Sequence, residues 1–408
     1  MTPDELERYA QLLLKGCLAF GRGDVLTVQM SVAARELGVA LAEAAYAAGG
    51  SSVTVDLDDA RMYAARIAKG SKSALGYDPP WSRARQAALG RKDSAFCVVL
   101  DEFELDVLAQ LSPDRVAQHT KIRQARNATF MRARRDGKFR WTGCAWPSEE
   151  WAARVYPEVT PTQAARRLAR DILFFCRLGP DDPPGYTGWT SHLATLRRRA
   201  AKLTRLDLKE LHVRDRGTDL RFRIAPYSQW RGGGEKDYWG RQLALNVPTE
   251  ECFISPDAAS TEGTFHCSLP RTFGGRVIED LRGEFRGGRL VRLEAKRTAD
   301  RDWLAKYLAA IPNADRLGEI ALVDSSSRIG QRRRTYFNAL LDENAAAHMA
   351  FGSGFAKTRT RPLGRARYGV NRSKTHIDVM IGTSNLEATG IKQNGRPVTL
   401  VADGTWQF

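Results

Sequence analysis

The chain has 408 residues, 43% of them hydrophobic and 27% charged, and its 63 Lys and Arg against 47 Asp and Glu leave a net charge of +16. That length exceeds what one core usually holds, so two domains are expected, and with no run of about 18 apolar residues no membrane span is expected. A positive balance suits nucleic acid, but the basic clusters at 132–135, 197–199 and 332–334 are scattered and no zinc-finger or RRM pattern accompanies them, so no nucleic-acid partner is expected.

At the start, Thr2, Pro3 and Glu5 occupy the positions of a capping box with proline at the first helical residue. Residues 3–19 are therefore expected to form a structural helix rather than a signal peptide. Alternation follows. A strand is expected over Val25–Met30, an Ala-rich helix over Ser31–Ala48 stopped by Gly49 and Gly50, and a strand over Ser52–Leu57. The apolar run Ala95–Leu100 and the stretch Lys138–Trp146 are two more strands, and Thr160, Pro161 and Gln163 open a helix running to Leu178. Strands alternating with helices predict a layered α/β domain over residues 1–200.

After a helix near residues 190–204 the texture changes, and short strands dominate in LKELHVRD, DLRFRIAP, GTFHCSLP and RGGRLVRLEA. A β-rich α+β second domain is expected over residues 201–408, giving a two-domain α/β protein. The glycine-rich Arg231–Lys236 is expected to be a mobile loop, without the Lys-Ser/Thr context of a phosphate-binding loop. Cys17, Cys97, Cys144, Cys176, Cys252 and Cys267 form no CxxC pair and mostly sit in apolar runs, as reduced cysteines of a cytoplasmic protein do.

Chemistry concentrates in four segments of the second half. In Tyr368–Gly382, His376 and Asp378 are two apart in a β-branched context, so in a strand both project to one face as two ligands of a divalent metal. If Glu250–Ile254 is a strand, Glu251 shares a face with Phe253, and Glu250 shares the other with Cys252 and Ile254. Glu319 opens the apolar strand of LGEIALVD. The stretch Tyr336–Phe351 has the Ala and Leu content of a helix, on which Asn344 and His348, four apart, share a face and Asn344 could orient the imidazole. His119 and His192 are expected to be exposed. His212 and His266 fit satisfied strand residues, with a pocket position for His266 as the lesser alternative.

In order along the chain, GTDL at Gly217–Leu220, Trp230 with Gly232 and Gly233, NVPTEECF, LGEIALV, LLDENAAAHMAFG, GVNRSKTHIDVMIG and the closing GTWQF resemble the thermophilic metalloaminopeptidases of peptidase family M29. The first half fits that family only in its α/β pattern and length. Position by position, the resemblance implies that Glu251, Glu319, His348, His376 and Asp378 are metal ligands, with Glu319 as the catalytic, bridging carboxylate. Zinc, cobalt or manganese would be the one or two divalent ions. The implied activity is a metal-dependent hydrolase in which an activated water attacks the C–N bond next to a free amine, on a peptide or small amine substrate. The expected assembly is a homodimer or higher homo-oligomer.

Relatives of that family also include a 5-nitroanthranilate aminohydrolase and a ring-cleaving dihydroxypyridine dioxygenase that uses iron, so hydrolysis of an aromatic amine or ring cleavage is the alternative. One departure bears on the choice. The family pattern has a tyrosine seven residues after the histidine of the LLDENAAAHMAFG motif, and here that residue is Phe355, which has no oxygen to donate or ligate. Phe355 is placed in the substrate pocket, with Tyr368 as the nearest replacement in sequence.

Overall fold

The computed structural model describes residues 1–77, 79–126, 133, 136–225, 227–358 and 369–408. The capping box forms: the Thr2 hydroxyl accepts from the Glu5 N–H at 3.2 Å, and the Glu5 carboxylate accepts from the Thr2 N–H at 2.7 Å, opening α1 (Pro3–Gln11). Beyond α1 the chain does not stay α-helical to residue 19. It widens into a π-helix, Leu12–Cys17, which buries Leu12, Leu13, Leu14 and Cys17.

Two compact units follow, Met1–Thr195 with Gly233–Thr249, and Leu196–Gly232 with Glu250–Phe408. The stretch 233–249, expected in the second domain, belongs to the first unit for a local reason. Asn246 and Val247 pair as a short parallel strand with Gly143 and Cys144, and the Ala244 carbonyl accepts from the Thr142 hydroxyl at 2.8 Å.

The first unit is a parallel sheet of β1 (Val25–Met30), β2 (Ser52–Leu57), β3 (Ser94–Leu100), β4 (Trp141–Ala145) and that short strand, in the order β2-β1-β3-β4 and then Asn246–Val247. Interior β1 and β3 bury Leu26, Val28, Ala95 and Cys97 completely, which is why β3 reads as an apolar run rather than an alternating one. Edge strand β2 leaves Val55 and Leu57 exposed. Two histidines depart from expectation here. His119 is buried, its ring edge-on to Tyr63 with Nδ1 3.2 Å from the tyrosine hydroxyl. His192 is half-buried between the Arg177 guanidinium, 3.1 Å away, and the Thr249 carbonyl, which accepts from Nε2 at 2.8 Å. Each sits on a helix whose polar sequence hid an inward-facing partner.

The second unit holds two large antiparallel sheets and a two-stranded hairpin of Arg271–Phe273 with Arg276–Ile278. The larger has eight strands, β5 (Leu208–Asp215), β6 (Thr218–Arg223), β8 (Glu262–His266), β9 (Arg282–Arg286), β10 (Arg289–Glu294), β14 (Glu387–Lys392), β15 (Pro397–Ala402) and β16 (Thr405–Trp406), in the order β10-β9-β8-β6-β5-β14-β15-β16. His212 and His266 are satisfied on it, each 2.7 Å from an aspartate, Asp219 and Asp280. The smaller sheet runs β7 (Cys252–Ile254), β11 (Leu317–Leu322), β12 (His348–Gly352) and β13 (His376–Met380), in that order.

Strand β12 corrects the expectation of one helix over Tyr336–Phe351. A short helix, α2 (Ala339–Ala345), does form, capped where the Asn338 side chain accepts from the Leu341 N–H. Ala346 is then extended, and His348–Gly352 pairs with β11 on one side and β13 on the other, all five of its residues buried. Burial between two strands outweighs the mild helix preference of HMAF. The glycine-rich segment is also tied at its start, because Arg231 and Phe253 exchange two backbone hydrogen bonds of 2.8 Å.

Candidate metal centre

Residues opposed across an antiparallel pair point to the same side of the sheet. The register sets Phe253 against Ala321, Ala321 against His348, Glu319 against Ala350, Ala350 against Asp378, and Gly352 against His376. Steps of two along each strand keep the face, so Glu251, Glu319, His348, His376 and Asp378 all project from one side. Ala321 and Ala350, in the middle, offer only methyl groups and leave room for the larger donors.

Glycines let the backbone close around this face. A Cβ on Gly318 would lie 2.4 Å from the Gly352 carbonyl oxygen, at the register shift between Leu317 and Glu319. A Cβ on Gly232 would lie 2.8 Å from the carbonyl oxygen of Glu251. Ahead of β7, the Glu250 N–H donates to the Asn344 side-chain oxygen at 2.7 Å, and the Glu250 carboxylate accepts from the Arg328 N–H at 3.4 Å. Glu251 is the one brought to His348, with Oε2 3.3 Å from Nε2. Asn344 therefore does not orient His348, as a single helix would have had it; it fastens the peptide one residue before Glu251.

His376 Nε2 lies 3.0 Å from both Glu319 Oε2 and Asp378 Oδ1. The other ring nitrogen of each histidine is held by backbone: Nδ1 of His376 donates to the Ser353 carbonyl at 2.7 Å, and Nδ1 of His348 to the Ala346 carbonyl at 3.3 Å. Those bonds turn both Nε2 atoms toward the carboxylates. Two donor groups result, Glu251 with Glu319 and His348, and Glu319 with His376 and Asp378, each with ligand atoms within 4.8 Å of one another. Glu319 belongs to both. Glu319 is 3% exposed and His348 1%, whereas the His376 side chain is 28% exposed, so the group meets solvent at His376.

Electrostatics reflect the crowding. Burial pushes the Glu319 carboxyl up, only partly offset by His376. Burial alone would lower both imidazoles, but the bond to Glu251 and the charges of Glu251, Glu319 and Asp378 bring His348 up to about 10, and Asp378 and Glu319 raise His376 well above its ordinary value. Burial would raise Asp378, yet the adjacent His376 holds it below the usual carboxylate range, helped by Arg271.

Two residues near the group escaped the sequence reading. Glu343, half-buried on α2, is pushed well up by burial and then by the charges of Asp378, Glu251 and Glu319. Arg271 is buried, with a charge that acts on Asp378. Nothing in the DEN run or in LPRTFGG marks either one; a charged residue in such surroundings is ordinarily solvated. Phe355 does lie beside the group, its ring centroid 5.1 Å from that of His376. Tyr368 lies outside the described residues. Two cavities elsewhere on this unit, of about 590 Å³ around Leu203, Tyr227 and Trp230 and about 870 Å³ between β10 and the helix Thr298–Ala310, include none of the five donors.

The model of the M29 thermophilic metalloprotease family matches residues 2–406. Among curated relatives, aminopeptidase T of Thermus aquaticus is 30% identical over 406 residues, covering 99% of this chain and 98% of its own. Aminopeptidase PepS of Streptococcus thermophilus is 30% identical over 412 residues, and aminopeptidase AmpS of Bacillus subtilis 28% over 410, both covering 99% of this chain and 98% of their own. The solved structure of wild-type AmpT from Thermus thermophilus superposes with a TM-score of 0.86 at 27% identity, over the full length of both chains. The 2,5-dihydroxypyridine dioxygenase of Pseudomonas putida KT2440 shares the fold, with a TM-score of 0.55 at 14% identity over 100% of this chain and 98% of its own.

Proposed function

Because the chain belongs to the M29 family of thermophilic metalloproteases, we propose that it is a metal-dependent aminopeptidase whose ligands are Glu251, Glu319, His348, His376 and Asp378. The observation that carries this is the register of the four-stranded sheet, which turns three carboxylates and two imidazoles onto one face in two groups sharing Glu319. The donor set fits zinc, cobalt or manganese: imidazole nitrogen and carboxylate oxygen suit borderline divalent ions.

A divalent ion held there supplies the positive charge that acidifies water and polarises a carbonyl. The protein's own groups do the rest. Ser353 and Ala346 fix the imidazoles, and His376, helped by Arg271, holds Asp378 below the usual carboxylate range. Glu343, near enough to feel the charges of Asp378, Glu251 and Glu319, is the group we assign to take a proton from the attacking water and pass it to the leaving amine. All six cysteines are free and buried, in keeping with a cytoplasmic location.

The test is to strip the protein with a chelator and assay leucine 4-nitroanilide before and after adding zinc, cobalt or manganese. Turnover should vanish and return with the ion; full turnover by metal-free protein would overturn the assignment. A small aromatic amine is the second reading, favoured by the Phe355 ring beside His376 and the Phe253 ring packed on it. Conversion of an aminobenzoate, with no turnover of the anilide, would select it.

A further inference from the structure

Four of the five donors are covered, and His376 is the one through which the group meets solvent. There Phe355 presents a ring that is 38% exposed, tilted 58° to the imidazole at 5.1 Å and packed on Phe253 at 5.2 Å. Phe253 is itself half-buried and comes from β7, two residues after Glu251.

The loop under Phe355 is fastened from several sides. Its N–H donates to the Ser255 hydroxyl at 2.9 Å, and its carbonyl accepts from the Thr358 N–H at 3.0 Å and the Thr358 hydroxyl at 2.7 Å. The Thr358 carbonyl in turn accepts from the Gln229 N–H at 2.5 Å, and the Lys357 carbonyl from the Arg231 guanidinium at 2.6 Å. At Gly354 a Cβ would lie 2.5 Å from Val370 and 2.7 Å from the Gly318 carbonyl oxygen, so the backbone is seated tightly against β11. The ring stands on a fixed base. A pre-organised apolar surface loses little entropy when a second apolar group covers it.

We propose that Phe355 and Phe253 form a specificity platform that receives the side chain of the substrate's first residue and selects large apolar side chains, of the leucine and phenylalanine class, over small ones. This rests on the aminopeptidase reading: with the free amine and first carbonyl at the donors, the first side chain is the group that lies within reach of the ring beside His376. Phe355 here determines specificity rather than supplying a proton or a ligand.

The experiment compares wild type with Phe355→Ala and Phe355→Tyr, all metal-loaded, on the 4-nitroanilides of alanine, leucine and phenylalanine. Wild type should prefer leucine and phenylalanine. Phe355→Ala should lower kcat/KM for those two by about tenfold or more, in the range of hydrophobic-pocket discrimination, with alanine changed less than about threefold. Phe355→Tyr keeps the ring and should keep the preference. Calorimetry of free phenylalanine and alanine, which needs no turnover, should show the same loss of discrimination in Phe355→Ala. Equal losses on all three anilides, or a wild type that prefers alanine, overturns the platform and leaves the peptidase intact. No hydrolysis of any anilide removes the peptidase reading and the platform with it.

Discussion

Buried charge is handled in opposite ways in the two units. In the first, Arg140 is 1% exposed, and its guanidinium donates to Asp24 at 2.8 Å and to the carbonyls of Ser94 at 3.0 Å and Ala19 at 3.2 Å. His119 and His192 likewise end on a hydroxyl, a guanidinium and a carbonyl. Each group finds its complement within the unit. In the small sheet of the second unit, Glu251, Glu319 and Asp378 crowd together with Glu343 close by, and the two histidines must serve all of them. Like charges gathered in a dry place are costly without a cation. Burial alone therefore does not mark a functional group; burial among groups of the same sign does.

The largest effect expected is at the paired ligands. His376→Ala and Asp378→Ala should each abolish turnover, by more than about a hundredfold, since even partners one step removed from a metal cost 10–100-fold, and bound metal should fall in parallel. Unchanged metal content and turnover in both variants would falsify the ligand assignment. Next come the adjacent glutamates. Glu251→Gln should cost far more activity than Glu250→Gln, because Glu251 faces His348 while Glu250 accepts from the Arg328 N–H; steady-state assays giving the reverse order would show that the wrong face was chosen.

A smaller effect belongs to Asn344. Replacing it by Ala orphans the buried N–H of Glu250, costing about 1–3 kcal/mol, and loosens the segment that carries Glu251. Metal affinity should drop by about 10–100-fold, measured by competition with a chromophoric chelator, and unaltered affinity would reduce Asn344 to a packing role. Smallest at the centre, and decisive for the contrast, is Arg140→Ala. Removing the buried guanidinium leaves the Ser94 and Ala19 carbonyls without their donor and the half-buried Asp24 with only the Gly21 N–H, which should cost about 1–3 kcal/mol in denaturant unfolding, while metal per folded chain stays at the wild-type value.

Much of this architecture was legible because it rests on local signals. Strands β1 and β2 run over the expected residues, and α1 starts at its capping box. The motif order pointed to the family, and period-two reasoning put Glu251 with Phe253 and His376 with Asp378 on common faces. What was not legible depends on partners distant in sequence. Five residues from His348 became a strand because two neighbours required it, although their composition favours a helix. The return of 233–249 to the first unit depends on pairing with Gly143, a hundred residues away in the chain. Glu343 and Arg271 look like ordinary surface charges until the fold encloses them.

Glu319 is the most direct test, because it alone belongs to both donor groups. Elemental analysis of purified wild type and Glu319→Gln, each checked for folding by circular dichroism, reads the central claim without any substrate. A shared, cation-requiring centre predicts close to two divalent ions per wild-type chain and almost none in the folded variant. A folded wild type that binds no divalent ion, or a variant that keeps its full complement, would contradict it.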